Sequence, residues 1–476
     1  MTMKIINYIT ILLLCIVNSA CIKQKNLYRG NNNAQKDVIN EPDFFYPFAN
    51  EVIDNTAEIT IQIKDDVPLP YNPTAEIPPL KYNKSWILMF IQDDCRQSAF
   101  CYTWAAINGK PLTHGSFYDL SHLQVGDLPP NHYYLGKTLG STDGAGNEVR
   151  FSFITTVSAE EDWMNAKSTI FKEGNAFRES KGLVWGNIKE MLNYNVGIAF
   201  HDVMTENTDN QESIIAHFKT AQNIILEKLE GRGCKMLAEP NGNKNYVNAA
   251  YNYSPIKTLT AQAGAKKIYP FEEGLDLEKT LIERAFFNSH DIILKDIAYE
   301  TSLPNQERAL VYPAAHATDT SWIDFLKWLN DTHGKDGDDS VWMPNQEEYY
   351  EYNYYKKHGT VDVTLTDNHS LKLVVSLPSQ EYFYYPSVTV NLSGINIENI
   401  KKITSNNTVT GLSYANYGNG VMLNIDCRKY LAEHAENFVK RYEANPNGIG
   451  NKADATYFVN MLKDSDKKEE LKKRIQ

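Results

Sequence analysis

The chain has 476 residues, a formal net charge of −12 and 42% hydrophobic residues. This length is enough for two or three folded domains with substantial cores. The negative charge and the lack of a long basic run argue against a nucleic-acid-binding protein, because phosphate neutralisation needs a basic surface. We therefore expect a neutral polymer or a small molecule as the partner.

The first 21 residues have the pattern of a secretory signal peptide, since Lys4 precedes an apolar stretch over residues 9–17. The small residues before Cys21 are similar to a bacterial lipobox, in which the cysteine is lipidated, although Asn18 departs from that pattern. The sequence predicts a secreted protein or a cell-envelope lipoprotein, in the periplasm or the outer membrane. We expect contact with the membrane only through a lipid on Cys21.

Residues 22–83 are predicted to form a tether followed by a β- and Pro-rich segment. The part before residue 55 is rich in Asn and Lys and has no periodicity. Residues 58–64 alternate between apolar and polar side chains, as strands do, and a Pro-rich run over residues 67–80 leads to the next domain.

Predicted strands and helices alternate over residues 84–358. The strands are predicted at residues 86–91, 149–157, 196–201, 235–240, 291–297, 309–316 and 340–344. The helices are predicted at residues 96–107, 176–194, 211–229, 277–287, 322–329 and 346–357. This alternation favours a parallel α/β sheet, and the number of units favours a closed or nearly closed barrel.

The composition changes at Gly359, where short strands follow one another with little helix between them. This pattern predicts a small antiparallel β-sandwich over residues 359–427. Two helical segments are predicted over residues 428–476, and the last of them is highly charged.

Chemically versatile residues follow four of the predicted strands, at the ends where catalytic groups gather in α/β barrels. In chain order they are Asp93 and Asp94, then His201, then Pro240, Asn241 and Gly242, then His316. Two adjacent carboxylates repel each other unless a cation or a proton intervenes, and a bound metal ion would relieve this repulsion. The alternatives are that an aspartate caps the next helix and that the histidines are hydrogen-bonded residues of the barrel rim.

The order of these residues resembles the polysaccharide deacetylase superfamily, whose members are metal-dependent carbohydrate esterases with a distorted (β/α) barrel. Residues 91–95 match the two aspartates of its Thr-Phe-Asp-Asp-Gly motif. The resemblance implies that Asp93 is the catalytic base and Asp94 a metal ligand. His201 matches the first ligand of a His-x-x-x-His motif, whereas Thr205 stands where the second histidine is expected.

Two later motifs extend the resemblance. Residues 238–242 keep the proline and the glycine of a substrate-binding turn, Pro240, Asn241 and Gly242, but Ala238 replaces the arginine that orients the base in the family. His316 matches the strand-end histidine, and the resemblance implies that it is the general acid. The motifs cover residues 84–358.

The resemblance implies hydrolysis of N- or O-acetyl groups on a carbohydrate, with a divalent metal ion, zinc first, as cofactor. Because Thr205 cannot replace a histidine ligand, the third ligand has to come from elsewhere. The candidates are Asp202, Glu206 and the histidines of the insertion at residues 108–147, which are His114, His122 and His132.

Two other functions are compatible with the departures from these motifs. One is a catalytically degenerate barrel that binds glycan without turnover. The other is a metal-independent glycosidase, which needs two facing acids about 5–10 Å apart. Adjacent aspartates do not provide that spacing, so an acid such as Glu239 would have to face them.

Two further features of the sequence have alternative interpretations. The tyrosines of residues 349–355 and the aromatic run at residues 382–385 could stack on sugar rings or pack a seam between domains. Cys95, Cys101, Cys234 and Cys427 form neither a disulfide framework nor a CxxC metal motif, so we expect buried free thiols.

Overall fold

The computed structural model describes residues 40–48, 52–70, 72–166, 182–201, 207–287, 289–366 and 369–476. The predicted signal peptide with Cys21 lies outside these residues, as do Asp202, Thr205 and Glu206. None of the described helices is both long enough and apolar enough to cross a membrane.

The described strands are numbered here in chain order. They are β1 Asn55–Ile63, β2 Ala75–Glu76, β3 Trp86–Ile87, β4 Ile91–Gln92, β5 Gly140–Thr142, β6 Glu148–Arg150, β7 Ile154–Val157, β8 Gly197–Phe200, β9 Met236–Ala238, β10 Thr258–Ala261, β11 Leu281–Glu283, β12 Ala285–Phe286, β13 Pro313–Ala315, β14 Val341–Trp342, β15 Thr360–Thr366, β16 Ser370–Leu377, β17 Ser387–Ser393, β18 Ile400–Ser405, β19 Gly411–Tyr417 and β20 Gly420–Asp426.

The first α-helix is preceded directly by a π-helical segment, Ala99–Trp104. The α-helices are Ala105–Ile107, Leu120–Val125, Trp185–Asn193, Gln211–Lys228, Lys244–Tyr251, His290–Ser302, Thr320–Thr332, Gln346–His358, Leu431–Ala444, Asn451–Asn460 and Asp466–Ile475.

Eight parallel strands form the central sheet, in the order β11-β10-β9-β8-β7-β4-β13-β12. The two edge strands are consecutive in the chain, with Arg284 alone between them. β11 pairs with β10, whereas β12 pairs with β13 on the other side. One extended segment therefore bridges both edges and makes a nearly closed barrel, which confirms the predicted distorted (β/α) barrel.

Two secondary-structure predictions in this region were wrong. Residues 277–287 were predicted as a helix but contain β11 and β12, and residues 291–297 were predicted as a strand but lie in the helix His290–Ser302. The Ser289 side chain caps this helix by accepting a hydrogen bond from Asp291 N. Short apolar runs are compatible with either structure, so the cap and the barrel closure decide between them.

The antiparallel β-sandwich is also confirmed, with two strands that precede the barrel in the chain. Its sheets have the orders β15-β16-β1-β18 and β19-β20-β17-β2. β1 is predicted from its alternation, and its Ile59 and Ile61 are fully buried. Its antiparallel partners β16 and β18 lie more than 300 residues later, so no local pattern reveals the pairing.

The tyrosine-rich helix Gln346–His358 packs inside the molecule between the barrel and the sandwich. Tyr349, Tyr350, Tyr352 and Tyr355 are each 1% exposed. The Glu351 carboxylate accepts hydrogen bonds from the backbone N–H groups of Tyr384 and Tyr385, at 2.8 and 2.7 Å. The rings of these four helix tyrosines therefore pack a seam, and the idea that they stack on sugar rings was wrong.

Two predictions about the remaining sequence can be compared with the structure. Three helices follow the sandwich, where two helical segments were predicted. The four cysteines of the described chain, Cys95, Cys101, Cys234 and Cys427, are free and buried, as predicted.

Candidate active site

The two aspartates lie at the carboxyl end of β4, where the chain reverses sharply. The backbone N–H of Asp93 donates to the carbonyl of Ala315 in β13, at 2.9 Å. Asp94 and Cys95 then adopt left-handed conformations, with φ of 62° and 51°. Such angles are unfavourable for residues other than glycine and persist where surrounding contacts hold them. One such contact is the 2.9 Å hydrogen bond from Cys95 N to the hydroxyl of Thr156.

The aspartates do not cap the helix that follows them. The helical segment begins at Ala99, and its N-cap residue is Ser98, whose side chain makes no capping hydrogen bond. The capping alternative was therefore wrong. Instead, the left-handed turn directs both carboxylates to the barrel rim.

Asp93 is buried and forms an ion pair with Arg284. The Arg284 guanidinium, which is fully buried, donates from Nη1 to Asp93 Oδ1 at 2.6 Å. Its Nη2 donates to the backbone carbonyl of Glu239 at 2.9 Å. Arg284 is the one residue between β11 and β12, so the closure of the barrel places its guanidinium at the site.

Sequence reasoning did not identify Arg284. Residues 277–287 were predicted as a helix, on which an arginine would be an ordinary solvated residue. The available signal was a charged pair, Glu283 and Arg284, inside an otherwise apolar run. With Ala238 in the place of the family's arginine, Asp93 needs another partner, and Arg284, which lies outside that motif, pairs with it.

His201 follows β8 and faces both aspartates. Its Nδ1 lies 2.9 Å from the carbonyl oxygen of Ala238, which can only accept, so Nδ1 carries the proton of this hydrogen bond. The other ring nitrogen, Nε2, lies 3.8 Å from Asp93 Oδ2 and 3.6 Å from Asp94 Oδ1. A backbone hydrogen bond of this kind fixes the orientation of the ring.

The partly exposed carboxylate of Asp94 lies between the imidazole of His201 and the guanidinium of Arg96. Its Oδ2 accepts from the guanidinium of Arg96 at 3.0 Å. His201 first, and then Arg96, hold the pKa of Asp94 well below its usual range, although burial acts in the opposite direction. The carboxylate is therefore ionised at neutral pH, as a metal ligand must be.

The remaining predicted residues lie on neighbouring parts of the same rim. His316 follows β13, is exposed, and stacks on the ring of Phe286 with centroids 4.6 Å apart. After β9, Pro240 is buried, whereas Asn241 and Gly242 are exposed and have left-handed φ values of 51° and 70°. The structure thus places a carboxylate oxygen of both Asp93 and Asp94 within 4 Å of His201 Nε2, and the other predicted residues follow neighbouring strands of the barrel.

Glu239 is not available as a free second acid. Its Oε1 lies 2.6 Å from the ammonium of Lys244. The glycosidase alternative therefore has no support from this residue.

Residues 57–476 match the protein family described as "Putative polysaccharide deacetylase". The chain belongs to this family. The match confirms the resemblance to the polysaccharide deacetylase superfamily and extends it to the sandwich and the C-terminal helices, which the motifs do not reach. A solved structure of a de-N-acetylase from Aggregatibacter actinomycetemcomitans is similar at 12% identity, covering 42% of this chain and 93% of that one, with a TM-score of 0.21. No curated protein matches this sequence.

The deacetylase resemblance implies a metal ion, and two described side chains are compatible with one. With bonds near 2.1 Å, two ligands of a tetrahedral zinc are about 3.4 Å apart. His201 Nε2 and Asp94 Oδ1 are separated by 3.6 Å, so they fit two ligand positions.

A complete ligand set is not found within the described part of the chain. There, no three His, Cys, Asp or Glu residues are grouped so that they could hold a metal ion. The insertion histidines have other contacts, since His114 stacks on Tyr133, His122 takes part in a capping box with Asp119, and His132 lies 3.2 Å from the carbonyl of Pro129. The other candidates, Asp202 and Glu206, lie outside the described residues.

Proposed function

We propose that this chain hydrolyses N- or O-linked acetyl groups on a carbohydrate. The proposed cofactor is a divalent metal ion, and zinc is the favoured candidate. The observation that carries the proposal is the convergence of His201 with Asp93 and Asp94, with Arg284 paired to Asp93. An envelope location through a lipid on Cys21 is part of the same proposal. Held by Asp94 and His201, a zinc ion would supply Lewis acidity toward water and the acetyl carbonyl.

Asp93 is proposed to accept the proton of the attacking water. Arg284 binds Oδ1, so Oδ2, on the side of His201, is the oxygen left for proton transfer. The ion pair with Arg284 fixes the orientation of the Asp93 carboxylate, and burial strengthens this attraction.

His316 is proposed to protonate the leaving group. It is exposed on the rim, next to the strand that carries Asp93, and Phe286 supports its ring. As the carbon–oxygen or carbon–nitrogen bond of the acetyl group breaks, the proton from His316 passes to the departing sugar atom. The products are acetate and the deacetylated sugar. The exposed turn of Asn241 and Gly242 would contact the sugar, because its backbone is not covered by a large side chain.

The metal site is tested by calorimetric titration of metal-stripped protein with zinc, cobalt and nickel. We expect one tight site in the wild type, lost in both Asp94→Ala and His201→Ala. His316→Ala is the matched control and should bind as the wild type does, because His316 is not a proposed ligand. Stoichiometric zinc in Asp94→Ala, or no specific binding by the wild type, would contradict the proposal.

Arg284 gives a second prediction. Arg284→Met removes the only guanidinium that the described structure pairs with Asp93, so kcat/KM on an acetylated oligosaccharide should fall by about 10–100-fold.

The control for Arg284 is Arg308→Met. Arg308 donates only to backbone carbonyls, those of Ser85, Thr301 and Leu303. This variant should lose stability without a comparable fall in kcat/KM. An unchanged kcat/KM in Arg284→Met would show that Asp93 does not depend on this cation.

A further inference from the structure

A cavity of about 120 Å³ lies at the end of the barrel opposite Asp93. Its barrel lining includes residues 149–150 and 192–195, which precede the amino ends of β7 and β8. The sandwich and the C-terminal helices form its other walls, so three parts of the molecule meet there. A cavity needs about 10–15 Å³ for each water, and the available space would therefore hold on the order of ten waters, or one sugar ring.

The charged groups that line this cavity are compensated by protein partners. Lys81 pairs with Glu348 at 2.8 Å, and Arg428 pairs with Asp426 at 2.7 Å. The Asp143 carboxylate accepts four hydrogen bonds, from two backbone N–H groups, the Asn147 amide and the Ser413 hydroxyl. A charged ligand would lose hydration without finding a free opposite charge, so the cavity favours a neutral ligand.

Several uncharged polar groups in the wall are not used by the described protein. The side chains of Tyr82, Ser387 and Asn460 line the cavity, are half-buried, and make no hydrogen bond with another described residue. They offer hydroxyl and amide groups that can both donate and accept. Aromatic rings complete the wall, contributed by Tyr46, Tyr82, Trp342, Tyr384, Tyr385 and Tyr457.

Tyr82 is held in an unfavourable backbone conformation. Its φ is 61°, a left-handed value that is rare for a bulky aromatic residue. Its backbone N–H is fixed by a 2.7 Å hydrogen bond to the hydroxyl of Thr389 in the sandwich. The surrounding fold thus holds Tyr82 in a strained conformation in which its ring faces the cavity. Backbone strain of this kind is found at ligand sites.

We propose that this cavity binds one ring of a neutral saccharide, at a site separate from the rim that carries Asp93. Aromatic faces cover the apolar side of a sugar ring, while unpaired hydroxyl and amide groups exchange hydrogen bonds with its hydroxyls. The inference does not rest on acetyl hydrolysis. It implies that the sandwich helps to hold a glycan that is not the reacting one.

The test uses cellobiose, xylobiose and mannobiose as probes, because they carry no acetyl group. Calorimetry with the full chain should detect binding of at least one of them in the millimolar range or tighter. Tyr82→Gly should weaken this binding about tenfold or more, since it removes one aromatic ring and one unpaired hydroxyl from the wall. Glycine adopts this φ without steric strain, so the variant should remain folded.

Two controls locate the site. Asn83→Gly relaxes a neighbouring left-handed residue, with φ of 54°, whose side chain bonds Asn391 rather than lining the cavity, so saccharide binding should be unchanged. Asp94→Ala alters the opposite rim and should also leave binding unchanged. No binding of any probe, or binding lost in Asp94→Ala and retained in Tyr82→Gly, overturns the inference. Neither result bears on whether the rim hydrolyses acetyl groups.

Discussion

Replacing Asp93 with Asn is expected to lower kcat/KM for deacetylation by about 10²–10⁴-fold, the usual effect of losing a general base. An amide has the shape of the carboxylate but cannot take the proton of the attacking water. Its carbonyl oxygen can still accept the hydrogen bond that Arg284 now donates at 2.6 Å, so the variant should fold. The measurement is acetate release from acetylated chito- and xylo-oligosaccharides.

Two further measurements separate catalysis from structure in this variant. Zinc stoichiometry should equal that of the wild type, because Asp94 and His201 are unchanged. Thermal unfolding should remain cooperative. If Asp93→Asn released acetate at the wild-type rate, Asp93 would not be the base, and another acceptor at the rim would have to be sought.

Replacing Asp454 with Asn is expected to destabilise the fold by about 3–5 kcal/mol, the typical cost of breaking a buried charge cluster. Asp454 is fully buried and accepts from Lys110 at 2.5 Å, from Arg150 at 2.6 Å and from the Tyr194 hydroxyl at 2.7 Å. The amide would leave the buried Lys110 without a compensating charge and Arg150 with only Glu148, 3.5 Å away. Denaturant unfolding at neutral pH measures the change in the free energy of unfolding.

The pH dependence of this effect follows from the same cluster. Burial raises the pKa of Asp454, but Lys110 and Arg150 outweigh it, and the net pKa lies below the usual value. The ionised carboxylate therefore stabilises the fold above its unfolded pKa of about 4 and ceases to do so as the pH falls through the lower folded value. The difference between wild type and Asp454→Asn should shrink in this acidic range.

A surface aspartate provides the matched control. Asp464 is 82% exposed and pairs with Lys468 at 3.2 Å. Asp464→Asn should change stability by no more than about 0.5 kcal/mol. Adding Lys110→Met to Asp454→Asn should recover part of the loss, because it removes one uncompensated cation. Equal effects of the two aspartate variants would contradict the buried-cluster account.

The barrel could be predicted because its signals are local. Buried strands such as β4 and β8 are short apolar runs that end in a polar residue, and helices such as Gln211–Lys228 have apolar residues at helical spacing. The same strand ends predicted the positions of Asp93, Asp94 and His201. Local patterns suffice for these residues, because each of them directly follows the apolar strand from which its position was predicted.

Arg284 and β1 were not predictable in the same way, because each depends on a partner far away in the sequence. Arg284 becomes the partner of Asp93 only when β11 and β12 pair with opposite edges of the sheet. β1 could be predicted as a strand, but its place between β16 and β18 depends on tertiary packing. Helix and strand are equally compatible with short runs such as residues 281–286, so the closure determines the outcome.

The pairing of β1 also has a consequence for how the chain can be divided and made. The barrel is inserted into the sandwich, so deletion of residues 359–476 would strip β1 of both its partners and expose Ile59 and Ile61. During synthesis β1 emerges about 300 residues before β16, and until then it is an unpaired apolar strand, open to aggregation. A shortened enzyme would therefore have to omit the residues before 84 as well. In the full chain, folding is completed only after the last strands of the sandwich have been synthesised.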